Sequence, residues 1–302
     1  MTGRVVVVGD VVTDVVAVLS GPPAPDSDTP AAIRFTGGGQ AANTAAWLAW
    51  HGVPVTLVAA VGADEAGAAR LAELRAAGVH CPVPPRTDAP TGTVIVLVAD
   101  GHRTMISDRG ANLHLDPGTV ADVIAATPDA RHVHLSGYAL LDPRSRPAGR
   151  RALAAARERG LTASVDAASA APLREVGGAA FLSWVRDADL LLANTDEAAV
   201  LYGAVAEPTG TAATLRESCG FGAVVVKRGA AGAVWAGPDG LVTAPAVAAP
   251  EVVDPTGAGD AFAAGLLSSW LAGADPGTAL ATAATAGASA VSTVGARPPH
   301  RG

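Results

Sequence analysis

A chain of 302 residues with 49% apolar and 16% charged side chains can bury a large core and is no low-complexity or disordered protein. A net charge of −7 offers no basic stripe for nucleic acid. Cys81 and Cys219 match no metal or redox spacing, which is the pattern of two reduced thiols in a cytoplasmic protein. Residues 4–10 read as a buried, β-branched first strand closed by Gly9 rather than as a signal segment. Asp14 follows in the next loop. Residues 19–30, rich in Pro, Asp and Ser, form a surface excursion. Gly37-Gly38-Gly39 then precede an Ala-rich helix, a place where a ligand can lie directly against the backbone, and Asn43 offers a donor and an acceptor from the first turn.

The middle of the chain alternates strand and helix. Strands are expected at 55–61, 132–135, 162–165, 189–193 and 223–226, and a helix at 64–77 ended by Gly78. Residues 93–99 and 103–107 form a hairpin about Asp100-Gly101. Asp116-Pro117 and Asp142-Pro143 each read as an N-cap followed by proline at the first helical position, opening helices at 117–126 and 143–159. This rhythm predicts a mostly parallel sheet covered by helices on both faces, an α/β fold. His132 and His134 share one strand with no third ligand near and read as ordinary strand residues. Residues 277–296 carry no charge over twenty positions, but their Ala, Thr, Gly and Ser would gain little from lipid, so a buried helix and a loop are expected and no membrane span.

Four stretches carry chemistry. Gly257-Ala258-Gly259 lead into Asp260 and an apolar helical run, 261–271. Main-chain N–H groups at a helix start lack partners and face the positive end of the dipole, which makes a socket for an anion. Asp260 beside it can accept a proton. An anion hole next to a base is what phosphoryl transfer to a hydroxyl requires. Asn194 and Glu197 share one face of the helix turn that follows strand 189–193, where ligands of open α/β sheets bind. Lys227, the only lysine against twenty arginines, follows strand 223–226 and precedes Gly229 and Gly232. Arg103 and Arg109 flank the hairpin's second strand, and Arg109 can hang over a substrate.

Asp254-Pro255-Thr256-Gly257-Ala258-Gly259-Asp260 resembles the D-T-x-G-A-G-D signature of the ribokinase-like (PfkB) family of sugar and nucleoside kinases, and only Pro255 is unusual. Gly38, Gly39 and Asn43 resemble that family's G-G-x-x-x-N, Asp14 its acid after the first strand, Asn194 and Glu197 its N-x-x-E, and Lys227, Gly229 and Gly232 its nucleotide stretch. The resemblance covers essentially the whole chain. It implies a single ribokinase-like domain over residues 1–302, whose lid is built from segments near 11–36 and 91–110. It also implies ATP as phosphoryl donor, Asp260 as base, an anion hole at Gly257, Ala258 and Gly259, and sugar contacts from Asp14, Gly38, Gly39 and Asn43. The Asn194–Glu197 pair would organise Mg2+ through water, and Asp254 and Thr256 would border a site for K+. Proline stands after the closing Gly295-Ala296 loop where a small polar residue is common, a departure that bears on that cation.

The function expected is therefore an ATP-dependent kinase acting on a hydroxyl of a small sugar or sugar acid. A nucleoside kinase of the same family and a non-catalytic sugar-binding regulator on the same fold are the alternatives. The acid that ribose-specific members place near 136–138 is absent, which disfavours ribose itself. A dinucleotide oxidoreductase lacks its G-x-G-x-x-G after the first strand, and a P-loop lacks G-x-x-x-x-G-K-[ST]. Strand 93–99 is apolar on both faces, Val94, Val96 and Val98 against Ile95 and Leu97, and a second copy of the lid would cover the face turned from the substrate, giving a homodimer.

Overall fold

The computed structural model describes residues 3–99, 102–204, 207–249 and 251–299. The expected Asp100-Gly101 turn and the side chain of Arg103 lie outside that description. In chain order the strands are β1 (Arg4–Gly9), β2 (Val12–Leu19), β3 (Ala31–Gly38), β4 (Val55–Ala59), β5 (Gly92–Ala99), β6 (His102–Asp108), β7 (Ala130–Ser136), β8 (Thr162–Asp166), β9 (Leu190–Asn194), β10 (Ala223–Lys227), β11 (Ala233–Gly237) and β12 (Gly240–Ala244).

The valines of β1 explain the layering. Val6 and Val8 enter one apolar core, Val5 and Val7 the other, so a strand without polar alternation is buried on both faces. The large sheet runs β12-β11-β10-β9-β8-β7-β1-β4 and is parallel from β10 to β4. Only the β10–β11 and β11–β12 pairs are antiparallel. Asp64 caps the helix Glu65–Ala76 and Asp116 the helix Pro117–Ala125, each accepting a main-chain N–H of the first turn. The charge-free segment is the helix Pro276–Val291 and a following loop. Among the described residues no helix is long and apolar enough to cross a membrane.

One expected cap is wrong. Asp142 closes the short helix Tyr138–Leu141 instead of opening the next, which runs Arg146–Glu158 behind Ser145. The Asp142 carboxylate accepts the Arg144 N–H at 2.8 Å, a local turn that competes with capping and moves the helix start three residues on. Pro147 then takes the early helical position that Pro143 was expected to fill.

β3-β2-β5-β6 form a separate four-stranded sheet that begins immediately after β1. It spans the two extended segments expected there. Register puts Phe35, Val15, Ile95 and Ile106 in one row across all four strands. Phe35 is 70% and Ile106 53% exposed, so the face they occupy is apolar and, among the described residues, uncovered within one chain.

Candidate active site

β1, β7, β8, β9 and β10 are parallel neighbours, so Asp10, Ser136, Asp166, Asn194 and Lys227 come out on one edge, at or just beyond the strands' carboxyl ends. The long helix Ala258–Trp270 starts beside that edge. Its cap is Gly257, held at φ 76, where a Cβ would lie 2.5 Å from the Ala296 carbonyl oxygen. Only glycine fits both the left-handed backbone and the contact, and its neighbour Ala258 begins the helix. The first turn of that helix therefore opens toward the strand ends.

Asp254 stabilises the approach to this turn. Its two carboxylate oxygens accept the N–H groups of Thr256 at 2.9 Å and Gly295 at 3.0 Å, which ties the 254–256 loop to the one after Pro276–Val291.

Asp260 accepts a hydrogen bond from Asn43 Nδ2 at 2.8 Å. The glycine-loop helix Gln40–Trp50 and the helix Ala258–Trp270 thus meet at that side-chain pair. Burial pushes the Asp260 carboxyl up to about 8; the Asn43 bond opposes this, and the charge of Asp166 adds to it. Asp14, on β2, is buried, and burial raises it to about 6, with Asp10 adding and Arg297 opposing. A Cβ at Gly38 would stand 2.3 Å from the Asp14 carboxylate oxygens, so glycine there lets backbone and acid approach. Arg297 supports this loop from behind, donating to Glu73 at 2.8 Å and to the Gly38 carbonyl at 3.4 Å.

Among the described residues the Lys227 ammonium makes one ion pair. Its Nζ lies 2.6 Å from Asp166 Oδ2 and 3.5 Å from the position a Cβ on Gly259 would take, at the mouth of the helix. Burial alone would lower its pKa, but the charges of Asp166 and Glu197 more than offset that and hold it above the ordinary lysine value. Gly229 starts the short turn Gly229–Ala231 and Gly232 closes it at φ 87, one strand over from Asn194. Asn194 and Glu197 form a reciprocal capping box: the side-chain Oδ1 of Asn194 accepts the Glu197 N–H at 2.9 Å, and the Glu197 carboxylate accepts the Asn194 main-chain and side-chain N–H groups at 2.7 Å each. Burial lifts Glu197 to about 7, with Lys227 opposing.

Arg109 follows β6. Its guanidinium lies 4.2 Å from the Tyr138 ring centre and 3.4 Å from Asp10 Oδ2. Asn112 bonds both the N–H and the C=O of Val11 at 2.9 Å, which fixes the turn carrying Arg109 against the β1–β2 link.

These contacts bring Asp14, Gly38, Gly39, Asn43 and Asp260 together on one side, and Lys227, Gly259, Asn194 and Glu197 on the other. Asp166, Gln40 and Arg297 complete the group and were not singled out from the sequence, whereas Ser136 and Tyr138 come from the 136–138 loop that was. The usable signal for Asp166 was its place at a strand's carboxyl end, but strand 162–165 was ended one residue short of it. His132 and His134 are fully buried strand residues bonded to Thr162 and Ser164, as their spacing suggested.

Among the described residues no three His, Cys, Asp or Glu side chains gather as a metal cage. An ion that keeps its waters and leans on phosphate oxygens fits Asn194 and Glu197 better than a fully protein-ligated one.

Residues 2–301 match the profile of the pfkB family carbohydrate kinase. This chain belongs to that family. The kinase is 33% identical over 279 residues to an ATP-dependent ribose-1-phosphate kinase of Halopiger xanaduensis, with 90% of this chain and 87% of that protein covered. It is 31% identical over 276 residues to the 2-dehydro-3-deoxygluconokinase of Thermoproteus tenax, covering 86% and 82%. The adenosine kinase of Sinorhizobium meliloti has the same ribokinase-like fold, with a TM-score of 0.88 at 25% identity over 99% of this chain and 96% of that one. The expected fold class, a mostly parallel sheet flanked by helices with a small second sheet, is the one observed.

The raised carboxyl of Asp260 has a consequence for stability. The folded state prefers it protonated, so its favourable contribution is complete below the unfolded value near 3.8 and is lost as pH rises through about 8. Asp260→Asn should therefore gain stability over the wild type between pH 5 and pH 8.5, by more than about 1 kcal/mol. Urea unfolding at both pH values measures this; an equal difference at the two would contradict it.

Proposed function

We propose that this kinase transfers the γ-phosphoryl group of ATP, with Mg2+, to a hydroxyl of a small sugar or sugar acid. The observation that carries the proposal is the juxtaposition of a raised, Asn43-bonded Asp260 with the open end of a helix and an ammonium. In this reading the acceptor hydroxyl gives its proton to the Asp260 carboxylate as its oxygen bonds to the γ-phosphorus, and the bond to the bridging oxygen of ADP breaks. The Gly257, Ala258 and Gly259 backbone and Lys227 stabilise charge on the moving group. Asp14 accepts two acceptor hydroxyls, and Gly38, Gly39 and Asn43 line the same pocket. The turn bearing Gly229 and Gly232 holds the nucleotide. Bound Mg2+ would neutralise phosphate charge, with Asn194 and Glu197 orienting its waters.

A sugar derivative is favoured over a nucleoside. Two relatives are named for ribose-1-phosphate and 2-dehydro-3-deoxygluconate, both of which carry an anion, and the Arg109 guanidinium, held over Tyr138 and beside Asp10, is the cation we assign to it. The adenosine kinase likeness keeps a nucleoside as the second reading. A role in K+ binding has less behind it: both oxygens of Asp254 already pin main-chain amides, and Pro298 follows Arg297. We place the activity in the cytoplasm.

Sugars, sugar acids and nucleosides screened for ADP release with MgATP test the proposal and identify the acceptor. With that acceptor, Asp260→Asn should bind ATP normally and lose about two to four decades of turnover. In the wild type kcat/KM should fall as pH drops below about 8, the range in which Asp260 gains its proton. Near-normal turnover in the variant would end the assignment.

We further read the β3-β2-β5-β6 sheet as a lid within a single domain, and its uncovered face as a dimer contact. A second lid, packed by two-fold symmetry on residues 91–107 and Phe35, covers that face at least cost. Light scattering should give a dimer at micromolar concentration, and Phe35→Asp should give a monomer. A wild-type monomer, or a dimer that survives the substitution unchanged, would refute it.

A further inference from the structure

Asp166 has no part in the transfer just described, yet among the described residues it is the ion-pair partner of the Lys227 ammonium. One carboxylate oxygen meets the ammonium at 2.6 Å; the other receives Gln40 Nε2 at 3.1 Å and the Ala168 N–H at 3.2 Å. Gln40 accepts in turn from Ser136 Oγ at 2.6 Å. The carboxylate cannot swing away without leaving one of these part-buried donors unmatched. Ala168 delivers its N–H from φ 77, a left-handed backbone unfavourable for any residue with a Cβ. The chain accepts strain here to complete the cradle.

Lys227 needs such a cradle. Its side chain is 13% exposed, and an ammonium so far from water holds its proton only beside a negative charge. Glu197 and Asp260 face it from their helices and their charges help to hold it, while His134, kept neutral by burial, faces it from β7. Asp166 is the partner in direct contact. Gln40 also belongs to the helix that follows Gly38 and Gly39 and carries Asn43. One hydrogen-bond chain therefore joins the acceptor's glycine loop to the cation on the donor side.

We propose that Asp166 is a positioning residue: oriented by Gln40 and Ser136, it holds Lys227 as a charged ammonium at the mouth of the helix Ala258–Trp270, where the moving phosphoryl group is stabilised. This rests on the kinase reading above for its purpose, but its test does not. Because Lys227 is the only lysine, protein labelled at the lysine ε-carbon gives one resonance whose titration reports that ammonium. In the wild type the signal should stay that of the charged form to a higher pH than an ordinary lysine. In Asp166→Asn the acid dissociation constant should rise at least about tenfold, because burial is then no longer opposed at contact. An unmoved titration overturns the proposal.

Should Asp166→Asn fail to fold, Gln40→Leu and Ser136→Ala keep the proposal open to refutation. Each should weaken binding of the imido analogue of ATP with Mg2+ by about threefold or more with no acceptor present. Equal affinity in both would overturn it, since a role confined to the acceptor loop leaves nucleotide binding untouched. The two readings fail separately. A shifted lysine titration with no ADP release for any acceptor upholds the positioning role and defeats the transfer; ADP release with an unmoved titration does the reverse.

Discussion

One ammonium faces three carboxyl groups at the edge of this sheet, and much of the site follows from that imbalance. Lys227 can sit against one of them, and it sits against Asp166 at 2.6 Å. The half-buried Asp260 and the buried Glu197, without an equal partner, rise to about 8 and about 7. A carboxyl raised in this way is a poor permanent anion and a useful proton acceptor, because its basicity approaches the working pH. Burying so many like groups costs stability, and the sheet's apolar layers on both faces are what tolerate it. Parallel topology is the device that gathers the charges, since it brings every strand out at the same end.

Much of this was legible before any coordinates. The valines of β1, the helix-period run after Asp260 and the strand–helix rhythm set the architecture, because a parallel sheet buried on both faces writes itself as short apolar runs. The glycine-to-asparagine spacing at 38–43 and the glycine-to-acid spacing at 257–260 marked the two ends of the site. The failures were local or non-local in instructive ways. Asp142 looked like a helix cap, but its side chain had a nearer donor in Arg144, a competition that spacing cannot rank. Asp166, Gln40 and Ser136 are far apart in sequence and come together only through register, as Ser136 pairs with Asp166 across β7 and β8. Lys227 was noticed as a solitary lysine, but nothing local pointed to its partner sixty-one positions away.

The small sheet shows a different limit. Alternation told that β5 was apolar on both sides, and the registers explain why: Val94 and Val96 pack with Val12 into a small core of their own, whereas Ile95 stands in the exposed row with Phe35 and Ile106. The same sheet holds Asp14 on the side that meets the glycine loop. Its position next to the strand ends, with β2 leaving β1 directly, puts one element in contact with both the glycine loop and the outside of the molecule. Arg297 and Asn112 tie its base to the rest of the chain.

The central claim is that Asp260 takes the acceptor's proton at the mouth of the helix that Lys227 guards. A crystal structure with the acceptor, ADP, Mg2+ and aluminium fluoride tests it most directly, because the fluoride marks where the moving phosphoryl group would sit. The reacting hydroxyl should lie within about 2.6–3.2 Å of an Asp260 oxygen, with the fluoride against the first turn of the helix Ala258–Trp270 and the Lys227 ammonium. A hydroxyl closest to Asp14 or Asp10, with Asp260 beyond about 4 Å, would contradict the account.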